Sequence, residues 1–203
     1  VNNDGDYTGN GSNVVDNGNI TVNNPNTEDI SNGNKEYNNT ENDNLFGDLS
    51  NDHFAKNEIE YLVKKGIIKG YNGLIRPNDY ITRAEFAILL NNTCKYLGVD
   101  TNNLADDSYA DVYKDKYYYN DIYKATYLDT MIGYNDGTFK PDNNMTREEA
   151  VVSIYKLISL CNLDIELSYP MKFNDMEQIS VWAKSYFDEL NSKWILKGDN
   201  NGN

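Results

Sequence analysis

Metal-ligating and redox-active side chains are scarce in this sequence. Its 203 residues include one histidine, His53, and two cysteines, Cys94 and Cys161. So few soft ligands exclude most familiar metal sites, and two thiols cannot form a cysteine-rich disulfide framework. The cysteines could pair or could be small buried apolar residues, and we favour the second interpretation. We expect neither a metal nor another cofactor.

Positive charge is also scarce. Eighteen Lys and Arg side chains face 32 Asp and Glu, which gives a net charge of −14 and a pI near 4.4. Nucleic acids and anionic lipids select basic patches, so this charge argues against both as partners. No apolar run is long enough to span a bilayer, and we expect no membrane insertion. The sequence has no signal peptide but starts at Val1, so we interpret it as a terminal fragment whose location this absence does not indicate.

Residues 1–44 have a composition of their own. They contain 15 asparagines, no Leu, Phe or Trp, and eight acidic side chains against the single Lys35. Such a segment cannot bury enough apolar surface to offset the entropy of ordering it. We therefore predict that residues 1–44 form a disordered, acidic, Asn-rich linker.

One pattern occurs twice after residue 44 and begins a third time. An aromatic-x-Asp motif comes first, followed by an apolar segment that ends in Gly-Tyr, then a proline and Thr-Arg-x-Glu. The three copies open at Phe46, Tyr109 and Phe173. A fixed-period repeat indicates copies of one supersecondary unit that bury their apolar faces together. We predict repeats at 45–99, 105–163 and 170–203, the third truncated.

Each complete repeat is predicted to form a helix, a short connector and a second helix. The first helix has one apolar face, with Gly66 just beyond its C-terminus. Apolar residues recur at helical spacing after Thr82 and Thr146, which marks the second helix. The fold class is therefore mainly α, with tandem helix-loop-helix repeats.

Thr82-Arg83-Ala84-Glu85 and Thr146-Arg147-Glu148-Glu149 both fit a capping box. In this motif the threonine hydroxyl accepts from the backbone N–H three residues on, and the glutamate reaches back to the threonine N–H. Glu85 and Glu149 are therefore predicted structural caps. Asp48 and Asp111, which recur where each repeat opens, are predicted to be N-caps or turn formers.

An arginine follows the capping threonine in both complete repeats. A cation at the positive end of a helix dipole is unfavourable by about 0.3–1 kcal/mol, so its recurrence suggests another use. Arg83 and Arg147 are well placed to receive a carboxylate or a phosphate, because the guanidinium fork and the helix N-terminus favour the same anion. The alternative is an ion pair with an acidic side chain of the fold.

Gly70 and Gly133 precede a tyrosine in both complete repeats. Either a tight backbone or a closely approaching ligand would exclude a side chain there, and the alternative is a plain turn glycine. The sequence contains no recognisable catalytic constellation, and His53 has no Cys or Ser partner at a familiar spacing. We expect no enzymatic activity in this segment.

The order Phe-x-Asp, Gly-Ile-Ile-x-Gly-Tyr, Pro and Ile-Thr-Arg-Ala-Glu-Phe resembles the S-layer homology repeat, and the resemblance covers residues 46–203. It implies a pseudo-threefold helical bundle with grooves between repeats. It also implies a secreted protein at the bacterial cell wall or S-layer, anchored non-covalently to a secondary cell-wall polysaccharide that bears pyruvate ketals. Two other readings stay open: a protein–protein contact module that self-associates in a surface lattice, and the tether of an extracellular enzyme whose catalytic domain lies upstream.

The resemblance also implies which residues contact the ligand. Glu148 stands where the family usually has alanine, and its charge beside Arg147 favours Arg83 as the stronger site. The third repeat ends before its own Thr-Arg motif. The expected ligand-binding residues are Arg83, Arg147, Gly70, Gly133, Thr82 and Thr146.

Overall fold

The computed structural model describes residues 46–106, 108–165, 172–193 and 195–196. The predicted linker at 1–44 lies outside them. The fold is mainly α, as predicted, and no helix in the described part is long and apolar enough to cross a membrane. A 3₁₀-helix at Met176–Gln178 precedes the last of the α-helices, which are α1 (Lys56–Lys64), α2 (Arg83–Tyr96), α3 (Tyr119–Tyr127), α4 (Arg147–Leu160) and α5 (Val181–Ser192).

Local signals set the ends of these helices. Thr82 and Thr146 are the N-caps of α2 and α4, and both capping boxes are formed. Gly66 has a φ of +71°, the left-handed conformation expected just beyond the end of α1. Gly98, Asp129 and Asn162 hold the same place after α2, α3 and α4, with φ of +80°, +52° and +47°. All four helices therefore end in the same type of turn.

The helices pack between repeats. The second helix of repeat 1, α2, packs against α3, which is the first helix of repeat 2. In the same way α4 packs against α5, whereas α2 and α4 touch less extensively. Ala87 and Leu90 of α2 share one core with Ile122 and Ala125 of α3. Val151 of α4 belongs to a second core that contains Ala183, Phe187 and Leu190 of α5.

Both cysteines are buried free thiols, in agreement with the favoured interpretation. Cys94 lies in the last turn of α2 and Cys161 is the C-cap of α4. They belong to the same core, so they contribute apolar packing where repeats 1 and 2 meet.

Asp48 and Asp111 are not the N-caps of α1 and α3; they lie in the turns that open their repeats, which is the other role predicted for them. The caps of α1 and α3 are Ala55 and Tyr118, and neither makes a side-chain capping bond. Each aspartate instead accepts hydrogen bonds from two consecutive backbone N–H groups of its repeat's connector. For Asp48 the donors are Ile75 and Arg76, at 2.9 and 2.7 Å; for Asp111 they are Phe139 and Lys140, both at 2.8 Å.

This clamp closes each repeat on itself, because it joins the opening motif to the connector that leads into the second helix. Arg76 and Lys140 have φ of +54° and +57°, and backbone turned in this way can present neighbouring N–H groups to one anion. The bond from the Ile75 N–H is the main cause that lowers the pKa of Asp48. The carboxylate is therefore held in its charged, accepting form.

An aromatic ring covers each of the two repeated glycines. A Cβ added to Gly70 would lie 2.2 Å from the Phe46 ring, and one added to Gly133 would lie 2.2 Å from the Tyr109 ring. The Cβ at Gly70 would also lie 2.7 Å from the Leu74 carbonyl oxygen, and the Cβ at Gly133 would lie 2.6 Å from the Thr138 carbonyl oxygen. The sequence left a tight backbone, a nearby ligand or a plain turn as explanations for these glycines. The structure shows a tight backbone, against which the first aromatic side chain of the repeat packs.

Replacing Gly133 with alanine should destabilise the fold. The new methyl group would force the Tyr109 ring or the Thr138 carbonyl to move, and overpacking of this kind costs about 1–3 kcal/mol. Gly47→Ala is the control, since nothing lies within 4 Å of its added Cβ. Urea unfolding of both variants measures the difference. Equal stabilities would contradict the packing argument.

Candidate ligand-binding site

Arg83 lies at the boundary between repeats 1 and 2, and its side chain bonds to three separate groups of repeat 2. Its Nε donates to the Phe139 carbonyl at 2.7 Å, Nη2 to the Ile132 carbonyl at 2.9 Å, and Nη1 to Glu149 Oε1 at 2.7 Å. Arg83 is only 3% exposed. Its charge is thus enclosed by the fold and paired within it.

Two aromatic rings lie against the same guanidinium group. The Arg83 Cζ atom is 4.5 Å from the centre of the Tyr134 ring and 4.7 Å from that of Phe139. Cation–π attraction at desolvated sites of this kind contributes about 2 kcal/mol or more. The structure therefore shows the ion pair within the fold, the alternative to anion binding at Arg83.

The backbone donors at the start of α2 are engaged as well. The Arg83 N–H donates to the Asn143 carbonyl at 2.8 Å, and the Ala84 N–H donates to the Pro141 carbonyl at 3.0 Å. The Glu85 N–H donates to the hydroxyl of Thr82 at 3.2 Å. Repeat 2 and the capping box thus fill the place that a ligand anion would take at this helix N-terminus.

Glu149 receives donors on both carboxylate oxygens. Oε2 accepts from the Thr146 N–H at 3.0 Å and the Thr146 hydroxyl at 3.2 Å, while Oε1 accepts from Arg83 and from the Tyr134 hydroxyl. Burial acts to raise the pKa of Glu149, but the Thr146 and Tyr134 bonds and the Arg83 charge outweigh it and lower that pKa. Burial and the bond to Glu149 raise the pKa of Tyr134 to about 12.

Glu85 has the corresponding place in repeat 1 and a different cation. Its Oε2 accepts from the Thr82 N–H at 2.9 Å, as the capping box requires, and its Oε1 accepts from Arg76 Nη2 at 2.9 Å. The Arg76 side chain is 54% exposed, whereas that of Arg83 is 4% exposed. The same carboxylate role is therefore supported by a solvated ion pair in one repeat and a buried one in the next.

Arg147 borders a cavity of about 160 Å³ between the start of α4 and repeat 3. Glu148 also lines it, and its Oε1 accepts from the Ser180 N–H at 2.6 Å, so this carboxylate is directed to the N-cap of α5. The remaining wall is mostly apolar. It consists of Phe173, Asp175, Met176, Gln178, Ile179, Phe187 and Leu196.

The structure distributes the expected ligand-binding residues over different places. Gly133 lies beside the Arg83 cluster, since Arg83 bonds to the carbonyl of Ile132, while Gly70 lies under the Phe46 ring of repeat 1. The hydroxyls of Thr82 and Thr146 are used by their capping boxes. Arg147 alone among these six lines the cavity. The geometry thus favours Arg147, whereas the sequence favoured Arg83.

Sequence reasoning missed three residues of the Arg83 cluster, namely Tyr134, Ile132 and Phe139. The tyrosine carried a usable signal, because Gly-Tyr recurs as Gly70-Tyr71 and Gly133-Tyr134. Ile132 takes part through its backbone carbonyl, which any residue supplies, so no side-chain pattern marks it. Phe139 contributes both its carbonyl and its ring, and only the ring could be marked by a side-chain pattern.

The family model for the S-layer homology domain matches residues 45–87 and 108–151. These segments contain the opening motif, the connector and the capping box of the first two repeats. The chain belongs to the S-layer homology domain family. Both matched segments reach the second helix of their repeat, so they contain the residues of the Asp clamp and Arg83 or Arg147.

Proteins of bacterial surfaces are similar to this S-layer homology chain. Cell surface glycoprotein 1 of Acetivibrio thermocellus is 32% identical over 149 residues, which is 68% of this chain and 6% of that protein. The surface-layer 125 kDa protein of Lysinibacillus sphaericus is 29% identical over 71% of this chain and 12% of its own length. The cellulosome-anchoring protein of Acetivibrio thermocellus is 26% identical over 77% and 34%.

The chain thus spans about a third or less of the length of these relatives. Its membership of the S-layer homology family, together with the cell-surface and surface-layer names of these relatives, indicates an extracellular location at the cell wall or surface layer. They also indicate an anchoring unit in place of a catalytic one.

Replacing Arg83 with glutamine should strongly destabilise the protein. The change leaves Glu149 and two backbone carbonyls without their charged donor, and breaking a buried ion pair costs about 3–5 kcal/mol. Arg76→Gln is the matched control, because its ion pair is solvated and should matter much less. Urea denaturation followed by circular dichroism gives both values. A loss for Arg83→Gln no larger than that of the control would refute a structural role.

The stability contributed by Glu149 should depend on pH. Its pKa is lower in the folded protein than its ordinary value of 4.5, so the unfolded chain binds more protons in this range. The contribution is therefore complete above pH 4.5 and is lost as the pH falls through the folded-state pKa. Unfolding free energies of wild type and Glu149→Gln should differ by a constant amount at neutral pH and converge in acid. A difference that does not change with pH would contradict this assignment.

Proposed function

We propose that this chain anchors a protein to the cell wall by binding an anionic wall polymer, a secondary cell-wall polysaccharide that bears pyruvate ketals. The observation that carries this proposal is Arg147 on the wall of the cavity between repeats 2 and 3. The anchoring and surface-layer character of the relatives supports the same class of function.

The lining of the cavity suits a carboxylate carried on a sugar ring. A guanidinium group at a helix N-terminus supplies charge-assisted donors to a carboxylate, and the helix field favours the same charge. Phe173, Met176 and Ile179 offer apolar surface to the methyl group and C–H faces of a ketal. The volume of about 160 Å³ lies below the ~300 Å³ of pockets for drug-sized ligands, so the cavity suits the end of a glycan chain better than a longer stretch of it.

The net negative charge of the protein does not oppose this binding strongly. At physiological ionic strength the Debye length is about 8 Å, so distant carboxylates are largely screened at the site. Glu148 is the acidic group next to Arg147 in sequence, and its Oε1 is bonded to the Ser180 N–H of repeat 3. The local field at Arg147 therefore counts for more than the net charge of −14.

Replacing Arg147 with glutamine should weaken binding to purified cell-wall sacculi. Loss of a charge-assisted hydrogen bond costs about 1.5–3 kcal/mol, which is about 10- to 150-fold in affinity. Co-sedimentation measures the affinity, and half of the sacculi receive mild acid beforehand to remove pyruvate ketals. Wild type should lose affinity on the treated sacculi, and Arg147→Gln should bind both preparations equally weakly.

Arg76→Gln is the charge-matched control and should bind untreated sacculi like wild type, since its guanidinium pairs with Glu85 away from the cavity. Urea unfolding of each variant separates a loss of binding from a loss of fold. Wild-type binding that is unchanged by ketal removal would reject the pyruvylated ligand, and full affinity of Arg147→Gln would reject the site.

A second function, contact between protein copies in a surface lattice, is favoured by exposed aromatic side chains. Phe54, Tyr117 and Trp182 occupy corresponding positions before the first helix, or in its first turn, in the three repeats, and they are 92%, 73% and 53% exposed. Aromatic side chains are enriched at protein interfaces. Sedimentation-velocity measurements over a range of concentrations test this function. Self-association that weakens in Phe54→Ser would support it, and a monomer at every concentration would reject it.

A further inference from the structure

The fold brings together the two cysteines of the sequence from different repeats. Cys94 is 0% exposed in the last turn of α2, and Cys161 is 4% exposed at the C-cap of α4. Both belong to the core shared by repeats 1 and 2. Nothing in the anchoring role of the chain uses these thiols.

The two thiols lie in the same core, at the ends of two helices that touch each other. Cys161 is the main cause that raises the pKa of Cys94, and burial adds to it. An interaction of this kind places the two sulfur atoms as neighbours, which is the first requirement for joining them. A protein outside the cell also meets an oxidising environment in which disulfides persist.

We propose that Cys94 and Cys161 are a site of oxidative modification, at which a small extracellular disulfide compound converts the two thiols into a disulfide between α2 and α4. This bond would covalently join repeat 1 to repeat 2. It would act on the stability of the anchor and leave Arg147 untouched.

The reaction is a two-step thiol–disulfide exchange. One cysteine thiolate attacks a sulfur of the small disulfide, forms a mixed disulfide and releases the first small thiolate. The second cysteine thiolate then attacks the protein sulfur of the mixed disulfide and displaces the second small thiolate. Two electrons pass from the protein to the small disulfide, and the two cysteine protons end on the two released thiols.

Burial makes this exchange slow in the closed fold. The thiolate is the attacking species, and the pKa of Cys161 is lowered by Cys94 while that of Cys94 is raised, so Cys161 attacks first. Both thiols, however, are buried away from any small disulfide in solution. Oxidation therefore requires the contact between α2 and α4 to open, and this contact is less extensive than those of α2 with α3 or α4 with α5. The bond should form most readily during folding or under mildly denaturing conditions.

The closed bond should raise stability substantially. It spans a loop of about 70 residues, for which chain-entropy estimates correspond to a gain on the order of 10³-fold in the folding equilibrium constant. The urea midpoint and the Tm of the oxidised chain should both rise, the latter by on the order of 10 °C. Dithiothreitol should reverse both shifts.

The test uses the full 203-residue chain, refolded from urea with oxidised glutathione or with dithiothreitol. We expect the oxidised sample to be a monomer lighter by about 2 Da, with one peptide pair joined through Cys94 and Cys161. Cys94→Ala and Cys161→Ala are matched controls, because a single thiol cannot close the bond and should show no stability gain under the same treatment.

Glutathione adducts on both cysteines, disulfide-linked dimers, or an intramolecular bond that does not raise the Tm would each overturn the proposal. The comparison of reduced and oxidised wild type stands even if an alanine variant fails to fold. Sacculus binding is measured separately on the reduced chain, so failure of this proposal and failure of the anchoring proposal give different results.

Discussion

A single buried guanidinium group holds repeats 1 and 2 in register. Removing the Arg83 charge from water is costly unless the N–H groups of its guanidinium find hydrogen-bond acceptors and a counter-charge. The partners come from three separate segments of repeat 2: the carbonyl of Ile132, the carbonyl of Phe139, and the Glu149 carboxylate at the start of α4. These segments can satisfy the charge together only in one arrangement. The connector, the second capping box and the start of α2 are positioned by that requirement.

How much could be predicted depended on the distance along the chain between partners. The capping boxes and the turn at Gly66 depend on residues within about one helical turn of each other, so local sequence was sufficient. Asp48 accepts hydrogen bonds from Ile75 and Arg76, in the connector of its repeat. The recurrence of this aspartate indicated a structural role, but the sequence did not show which groups it bonds to. Arg83 was harder still, since its acceptors include two backbone carbonyls of another repeat.

The two Thr-Arg motifs show why equal sequences did not predict equal roles. Arg83 and Arg147 occupy the same position in their repeats, yet one is enclosed between two rings and the other lines a cavity. Arg83 bonds to groups of repeat 2, and Arg147 lines a cavity together with residues of repeat 3, so the surroundings of each are set by residues outside its own copy. The motif therefore places the arginine at the boundary with the next repeat, and that repeat determines what surrounds it.

The pairing of α2 with α3 and of α4 with α5 has a consequence for how such proteins can change by duplication. The segment that is copied in the gene and the helix pair that folds together are half a copy out of phase. Among the helices that the structure describes, no packed pair lies within a single copy, so inserting or losing one copy brings together two helices that did not pack against each other before. Such an exchange succeeds only if the second helix of any copy fits the first helix of any other. This demand for interchangeable surfaces maintains similar apolar positions in copies whose exposed residues have diverged.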